Sequence, residues 1–414
     1  MDIKSALDYI YNLKSFRRRE TLERIEKLLS ILGNPEKKFK SIHVAGTNGK
    51  GSVSTFIYSV LKEAGFNTAL YTSPHLIKFN ERIKVQDEDI SDSELIRLAE
   101  FIMEKASGLD ITFFEFTTAL AFLYFAEKKV DFAVIEVGLG GRLDATNTIS
   151  PLLSVITHIE IDHQEQLGTE LLQIAREKAG IIKQGIPLVT AEDNPEVLKL
   201  FDSTCKQKNS QIFILNKDLS FKKKADRNFS TSGLIKDEFS TSMLGDYQLE
   251  NASTALLAIY VLNTKYNYNI STDKIKLGIK KALIHGRLEK IDNILLDGAH
   301  NPDAMRSLAE YIKDIDKDIV LILGIKKGKN IEKISSIIAP LASKIILTKS
   351  SFKASPLNTI AREVKKYNKN VFKTANPKQA LELASKSEDS IILVTGSLYL
   401  VGDILSLLSK SNRD

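Results

Sequence analysis

The stretch Lys40-Ser-Ile-His-Val-Ala-Gly-Thr-Asn-Gly-Lys-Gly-Ser52 decides how the chain must fold. Lys40 to Val44 reads as a strand, and Ser52 to Ala64 as a helix whose apolar face is Val53, Phe56, Ile57, Val60 and Leu61. Between them lie Gly46, Thr47, Asn48, Gly49, Lys50, Gly51 and Ser52. Glycines at such a turn let backbone N–H groups converge on phosphate oxygens, and the helix N-terminus adds its partial positive charge. Lys50 is placed to reach the β- and γ-phosphates. The string departs from G-x-x-x-x-G-K-[ST], because Val44 stands at the first glycine position and Gly51 follows the lysine. A turn that only joins strand to helix is the plain alternative; the lysine and the flanking elements favour nucleotide binding.

Outward from this point the pattern alternates. Two amphipathic helices open the chain, the second carrying Leu22, Ile25, Leu28, Leu29 and Leu32 before Gly33 stops it. Asp131 to Val137, Leu152 to Thr157 and Pro187 to Thr190 read as short buried strands with helical segments between them, which argues for a mostly parallel sheet covered by helices. From Gln211 to Met243 the sequence turns polar and β-rich, a small antiparallel excursion. Helices follow at Gln248 to Thr264 and Thr272 to Leu283. After Gly286-Arg287-Leu288-Glu289 the alternation restarts, with strands expected at Ile294 to Asp297, Asp318 to Leu323, Lys344 to Thr348 and Ser390 to Thr395. The fold class is α/β: a P-loop-type domain over 1–286 and a smaller Rossmann-like domain over 287–414. No internal repeat or low-complexity segment interrupts them.

Composition sets limits. The 414 residues are 43% hydrophobic and 27% charged, ordinary for a folded chain of two or three domains. Cys205 is the single cysteine, which excludes a disulfide framework and any multi-thiolate metal site, and a reducing cytoplasm is the expected setting. The balance of 58 basic against 52 acidic residues, +6, is too mild to imply nucleic acid. Arg17-Arg18-Arg19 and Lys222-Lys223-Lys224 read as solvated surface. Asp2 and Lys4 break any apolar leader, and the uncharged stretch Asn251 to Thr264 is too short to span a bilayer. No membrane or nucleic-acid partner is expected.

A second glycine cluster, Gly138-Leu139-Gly140-Gly141-Arg142, follows the strand ending in Glu136. Leu143 occupies the third glycine position of a dinucleotide fingerprint, and Asp144-Ala-Thr-Asn147 reads as a turn, so that reading is rejected. Glu136 is more telling, because a carboxylate at a strand's C-terminal edge points into the usual ligand crevice of an α/β protein. His158 and His163 lack the spacing of a zinc helix, and His43 and His285 read as structural histidines.

His43-Val-Ala-Gly-Thr-Asn-Gly-Lys-Gly-Ser52 resembles the phosphate loop of the folylpolyglutamate synthase/dihydrofolate synthase family, relatives of the peptidoglycan-building Mur ligases. The resemblance runs through Tyr71-Thr-Ser-Pro-His-Leu76, Asn80-Glu-Arg-Ile83, Thr112-Phe-Phe-Glu-Phe116, Glu136 to Asn147, Asp162-His-Gln164 and Arg176-Glu-Lys-Ala-Gly-Ile-Ile182. It continues in Tyr247-Gln-x-x-Asn251, Gly286-Arg-Leu-Glu289, Asp297-Gly-Ala-His-Asn-Pro302 and Thr395-Gly-Ser-Leu-Tyr-Leu-Val-Gly402, in the family's order over nearly the whole chain.

What the resemblance implies is ATP-dependent amide formation. A substrate carboxylate takes the γ-phosphoryl group to form an acyl phosphate and ADP, and the amino group of L-glutamate then displaces phosphate. It implies one Mg²⁺ at Ser73 and Glu136 and a second at His163 and Lys178, with Lys178 carbamylated. Arg287 resembles the family's γ-phosphate arginine, and Asn251, Asp297, His300 and Asn301 its nucleotide-side residues. Phe114 matches an aromatic that stacks on the pterin ring and Asp144 an acid that binds it, while Arg82 and Ser397 complete the implied substrate contacts. The Gly-Gly-Arg-Leu-Asp-Ala-Thr-Asn form resembles members that also make dihydrofolate from dihydropteroate. The implied partners are dihydropteroate or reduced folate, L-glutamate and ATP, handled by a cytoplasmic monomer.

One departure stands out: where the family commonly has Asp-Lys-Asp, this chain has Gly328-Lys329-Asn330. Two rivals are disfavoured. A Mur ligase acting on a nucleotide-linked sugar peptide would need a further domain before the loop, and only helical sequence is expected there. A nucleotide-dependent switch or nucleic-acid motor would leave Glu136, His163 and Lys178 without a role.

Overall fold

The computed structural model of the chain describes residues 1–14, 21–387 and 389–411. Arg17-Arg18-Arg19 lies outside them. The chain divides into two compact units: the first comprises Met1–His75, Asn80–Ser242 and Leu249–Leu283, the second Leu76–Phe79, Met243–Gln248 and Ile284–Asp414.

The first unit is built on eight strands: β1 (Lys40–Ala45), β2 (Thr68–Tyr71), β3 (Ile83–Val85), β4 (Glu88–Asp89), β5 (Phe132–Glu136), β6 (Leu153–Ile156), β7 (Leu188–Thr190) and β8 (Ile212–Ile214). Their order is β4-β3-β2-β5-β1-β6-β7-β8, parallel from β2 to β8, with β3 and β4 antiparallel at one edge. Five of the six β1 residues and all five of β5 are buried, as strands covered on both faces must be. The register sets Val44 beside Glu136 and Ala45 beside Ile156, so the ends of β1, β5 and β6 open on one edge.

The helix Lys50–Glu63 follows β1 directly. The helix Phe113–Glu127 is apolar almost all round and buried from Glu115 to Phe125, the pattern of a core helix. Its start is held by a capping box: Thr112 Oγ1 accepts from Glu115 N–H, and Glu115 Oε2 accepts from Thr112 N–H at 2.7 Å. The buried Glu115 carboxylate also receives the Arg24 guanidinium at 3.3 Å.

The antiparallel excursion is narrower than the sequence suggests. It consists of β9 (Leu219–Lys223), β10 (Asn228–Gly233) and β11 (Glu238–Ser240). Ile212–Ile214, read as its beginning, instead pairs in parallel with β7, because the helix Pro195–Gln207 makes a crossover that returns an apolar Ile-Phe-Ile strand to the main sheet.

The second unit has β12 (Glu289–Ile291), β13 (Ile294–Leu296), β14 (Ile319–Leu323), β15 (Lys344–Leu347), β16 (Val371–Lys373) and β17 (Ile391–Thr395). Their order is β12-β13-β17-β14-β15-β16, parallel apart from β12. Leu321, Leu323, Ile345, Leu347 and Leu393 fill one face and Ile322, Ile346, Ile392 and Val394 the other, each with its own helical cover. No helix among the described residues is long and apolar enough to cross a membrane.

Thr112→Ala removes the cap of the core helix and leaves the buried Glu115 N–H without its acceptor. The first unit should lose about 0.5–2 kcal/mol, read as a lower urea midpoint; an unchanged midpoint would show that the cap is redundant.

Candidate active site

In the first unit the site is assembled at the C-terminal edge of the sheet. The phosphate loop leaves β1 and is tied to the segment after β6. Thr47 N–H donates to His158 O at 2.8 Å. Thr47 Oγ1 accepts from Glu160 N–H at 3.0 Å and donates to Glu160 O at 3.1 Å. Thr157 Oγ1 donates to Asn48 O at 2.6 Å. Gly49 closes the loop with φ +84°, and a Cβ there would fall 2.5 Å from Asn251 Oδ1, so only glycine permits both the turn and the approach of Asn251.

Two lysines meet on one carbonyl oxygen. Lys50 Nζ donates to Gly46 O and Thr47 O, each at 3.0 Å, and Lys178 Nζ donates to the same Gly46 O at 2.6 Å. Lys178 is 4% exposed on the helix Leu171–Ala179. Burial above all, and then the Lys50 charge, hold its ammonium well below the usual lysine range, against the pull of Asp162 and Asp144. The same shift makes the uncharged amine, the nucleophilic form, easier to reach than in an exposed lysine.

Glu136, at the end of β5, is buried, and its Oε2 accepts from Ser73 N–H at 3.1 Å. This pair offers hard oxygen donors of the kind Mg²⁺ takes. Lys178 as an ammonium offers none, but a depressed amine is the form that adds CO2 to become an oxygen ligand, so it too fits. His163 lies at the start of the short helix Gln164–Leu167 with φ +51°, its side chain 43% exposed and Nε2 3.8 Å from Asp162 Oδ2. The structure also gathers His158, Glu192 and Asp193, whose ligand atoms lie within 4.8 Å of one another, a group to which sequence reasoning gives no role.

On the other side of β5, Phe114 stands at the start of the core helix, half-buried and tilted against Tyr71 at 6.1 Å. A Cβ at Gly138 would lie 2.3 Å from its ring, so the second glycine cluster makes room for an aromatic, not for a dinucleotide. Asp144 is 2% exposed and ties that cluster down: Oδ2 accepts from Leu139 N–H at 2.9 Å, and Oδ1 from Thr146 N–H at 3.0 Å and Thr146 Oγ1 at 2.6 Å. Because the Thr146 hydroxyl proton goes to Asp144, the 2.9 Å contact from His43 Nε2 must be a donation to Thr146. His43 is therefore a link from β1 to the Asp144 turn. Arg82 is buried, with Nε donating to His75 Nδ1 at 2.8 Å and its guanidinium 5.4 Å from the centre of the Phe113 ring.

In the second unit, Asp297 follows β13 and is 4% exposed. Its oxygens accept from Leu288 N–H at 2.9 Å, Ala299 N–H at 2.8 Å and Tyr247 OH at 3.3 Å. Burial pushes its carboxyl up, and the Arg287 charge opposes that. His300 Nδ1 is 2.8 Å from Gly298 O. Asn301 caps the helix Pro302–Lys313 through its Oδ1. Ser397, buried after β17, accepts from Tyr399 N–H at 3.2 Å.

Residues 44–259 match the Mur ligase middle domain and residues 284–407 the dihydrofolate synthetase C-terminal domain. The dihydrofolate synthase/folylpolyglutamate synthase of Bacillus subtilis is 36% identical over 97% of this chain and 98% of its own length. The chain belongs to the folylpolyglutamate synthase/dihydrofolate synthase family. It is a ligase of that family. The folylpolyglutamate synthase of Thermotoga maritima superposes with a TM-score of 0.87 at 36% identity, covering 99% of this chain and 97% of the other. The Mycobacterium tuberculosis folylpolyglutamate synthase complexed with ADP superposes at 0.91 and 26% identity, over 98% of each chain.

Within this synthase fold, sequence reasoning left Thr157, His75 and Tyr247 without roles. His75 and Tyr247 sit inside family strings, against Arg82 and Asp297, and Thr157 directly follows the end of β6. Position at that edge is the signal that could have found Thr157.

Burial, with Lys183 nearby, pushes the His43 imidazole down to about 3 from 6.5. The unfolded chain then binds a proton that the fold refuses, so stability falls as pH drops from 6.5 toward 3. His43→Gln keeps a donor for Thr146 and removes that titration. Its unfolding midpoint should depend less steeply on pH across this window, and a slope equal to that of the parent would contradict the assignment.

Proposed function

We propose that this ligase joins L-glutamate to folates through an acyl phosphate, and that it also makes dihydrofolate from dihydropteroate and L-glutamate. The observation that carries the reading is the meeting of Lys50 and the buried Lys178 on the Gly46 carbonyl, at the sheet edge where β5 ends in the buried Glu136. A loop that only joined strand to helix would have no use for a second, desolvated amine.

The residues divide the work. Loop N–H groups, Lys50 and Asn251 receive the triphosphate, and Arg287, Asp297, His300 and Asn301 serve the nucleotide from the second unit. Phe114 offers a ring face to the pterin, and Asp144 and Arg82 are polar groups beside it. The substrate carboxylate oxygen attacks the γ-phosphorus as the bond to ADP breaks. The glutamate nitrogen then attacks the acyl carbon, loses its proton, and phosphate leaves. Two Mg²⁺ ions, held by Ser73 with Glu136 and by His163 with carbamylated Lys178, would neutralise phosphate charge when bound. Ser397 serves the incoming amino acid. The enzyme acts on small molecules as a cytoplasmic monomer. The Lacticaseibacillus casei relative carries the name folylpolyglutamate synthase, and the Bacillus subtilis relative carries both names, which supports the dual activity.

Incubation with ATP, Mg²⁺ and L-glutamate should yield amide product with dihydropteroate and, separately, with tetrahydrofolate. Product from one alone would remove the second activity, and product from neither would remove the folate reading. Arg287→Ala should cut glutamate-dependent ADP release about 10²-fold or more. Lys178→Ala should fall as far and recover in part with acetate, a carboxylate small enough to enter the vacated space. Near-normal turnover of the unrescued variant would refute the role of Lys178.

A further inference from the structure

The phosphate loop does not hold itself. Its Thr47 is gripped by His158 and Glu160 through backbone and hydroxyl together, so the segment 158–160 sets where the loop N–H groups point. That segment is gripped in turn from the next strand. Glu192, two residues beyond β7, is 1% exposed. Its Oε2 accepts from Ile159 N–H at 2.8 Å. Its Oε1 accepts from Asn194 N–H at 2.9 Å and Asp193 N–H at 3.2 Å. Its own N–H is held by Thr190 Oγ1 at 3.1 Å, and the His158 Nδ1 stands 3.9 Å from Oε2.

We propose that Glu192 is a positioning residue for the nucleotide: a buried carboxylate that fixes the 158–160 segment and, through it, the conformation in which Thr47 and the loop receive phosphate. This rests on the nucleotide-binding reading of the loop. The bonding pattern supports positioning: one oxygen accepts from Ile159 N–H and the other from Asp193 and Asn194 N–H. A charged acceptor holds such donors more tightly than a neutral one. Locking a loop before its ligand arrives lowers the ordering cost of binding. Glu192 holds Ile159 N–H, and the residues on either side of Ile159 hold Thr47 of the phosphate loop.

The test is the affinity of MgADP, measured by titration calorimetry on the full chain. Glu192→Gln keeps the shape but puts an NH2 group against one set of donors. It should weaken MgADP about tenfold, the scale of one hydrogen bond to a charged group. The KM for ATP should rise equally, while the KM for the folate and for glutamate and the kcat at saturating ATP stay within about twofold. Glu192→Asp, the milder change, keeps the charge and should fall between the two. In a double-mutant cycle with Thr47→Val, the two losses should be less than additive, because both break the same chain of contacts. MgADP affinity within twofold of the parent in both Glu192 variants, with only the unfolding midpoint lowered, would overturn the proposal, as would a parallel rise in every KM. Failure of the parent itself to bind MgADP would overturn the nucleotide reading instead.

Discussion

The Gly46 carbonyl oxygen is the point on which the rest of the site depends. Two lysine amines donate to it, one from Lys50 and one from the buried Lys178. Burial above all, and then the Lys50 charge, hold the Lys178 ammonium well below the usual lysine range. Lys50, on the first turn of its helix, stays with the loop that would receive phosphate. Burial thus separates two chemically alike side chains, Lys50 on the phosphate loop and Lys178 on the helix Leu171–Ala179. That separation holds because Leu171–Ala179 packs into the core through Ile174, Ala175 and Ala179, which leaves Lys178 buried.

Around that point, buried acids hold the architecture with backbone N–H bonds. Asp144 pins the second glycine cluster, Glu192 pins the 158–160 segment that holds Thr47, Glu115 caps the core helix, and Asp297 pins the turn after β13. A carboxylate removed from water is costly unless its lone pairs are satisfied, and oriented amides satisfy them while becoming fixed themselves. The result is a set of loops with defined geometry at strand ends, the place where α/β proteins take ligands. His43 extends the same logic, since a neutral imidazole passes a hydrogen bond through Thr146 to Asp144 and joins the phosphate-loop strand to the proposed pterin acid.

Much of this was legible in the residues. The strand, glycine loop, lysine and helix of 40–64 imposed a parallel sheet, and Glu136 announced the crevice by ending an apolar strand. Other features were not legible. Ile212–Ile214 read as part of a polar β-rich segment, because a three-residue strand carries too little periodicity to reveal which sheet it joins. His43 read as an ordinary structural histidine, because sequence shows that a residue is buried in a strand but not which hydroxyl faces it. Asp144 read as a ligand contact, and the structure adds that its oxygens also hold the loop.

The sequence by itself determined the class of fold, the phosphate loop and the family strings, since these depend on local periodicity and on residues close together in the chain. Only the tertiary structure decided which lysine is desolvated, which carbonyl it shares and which acid holds the loop. Those properties arise between residues 132 positions apart, such as Gly46 and Lys178, or 33 apart, such as Ile159 and Glu192. Burial and distance set charge state and hydrogen bonding, and neither exists until the strands have been laid side by side.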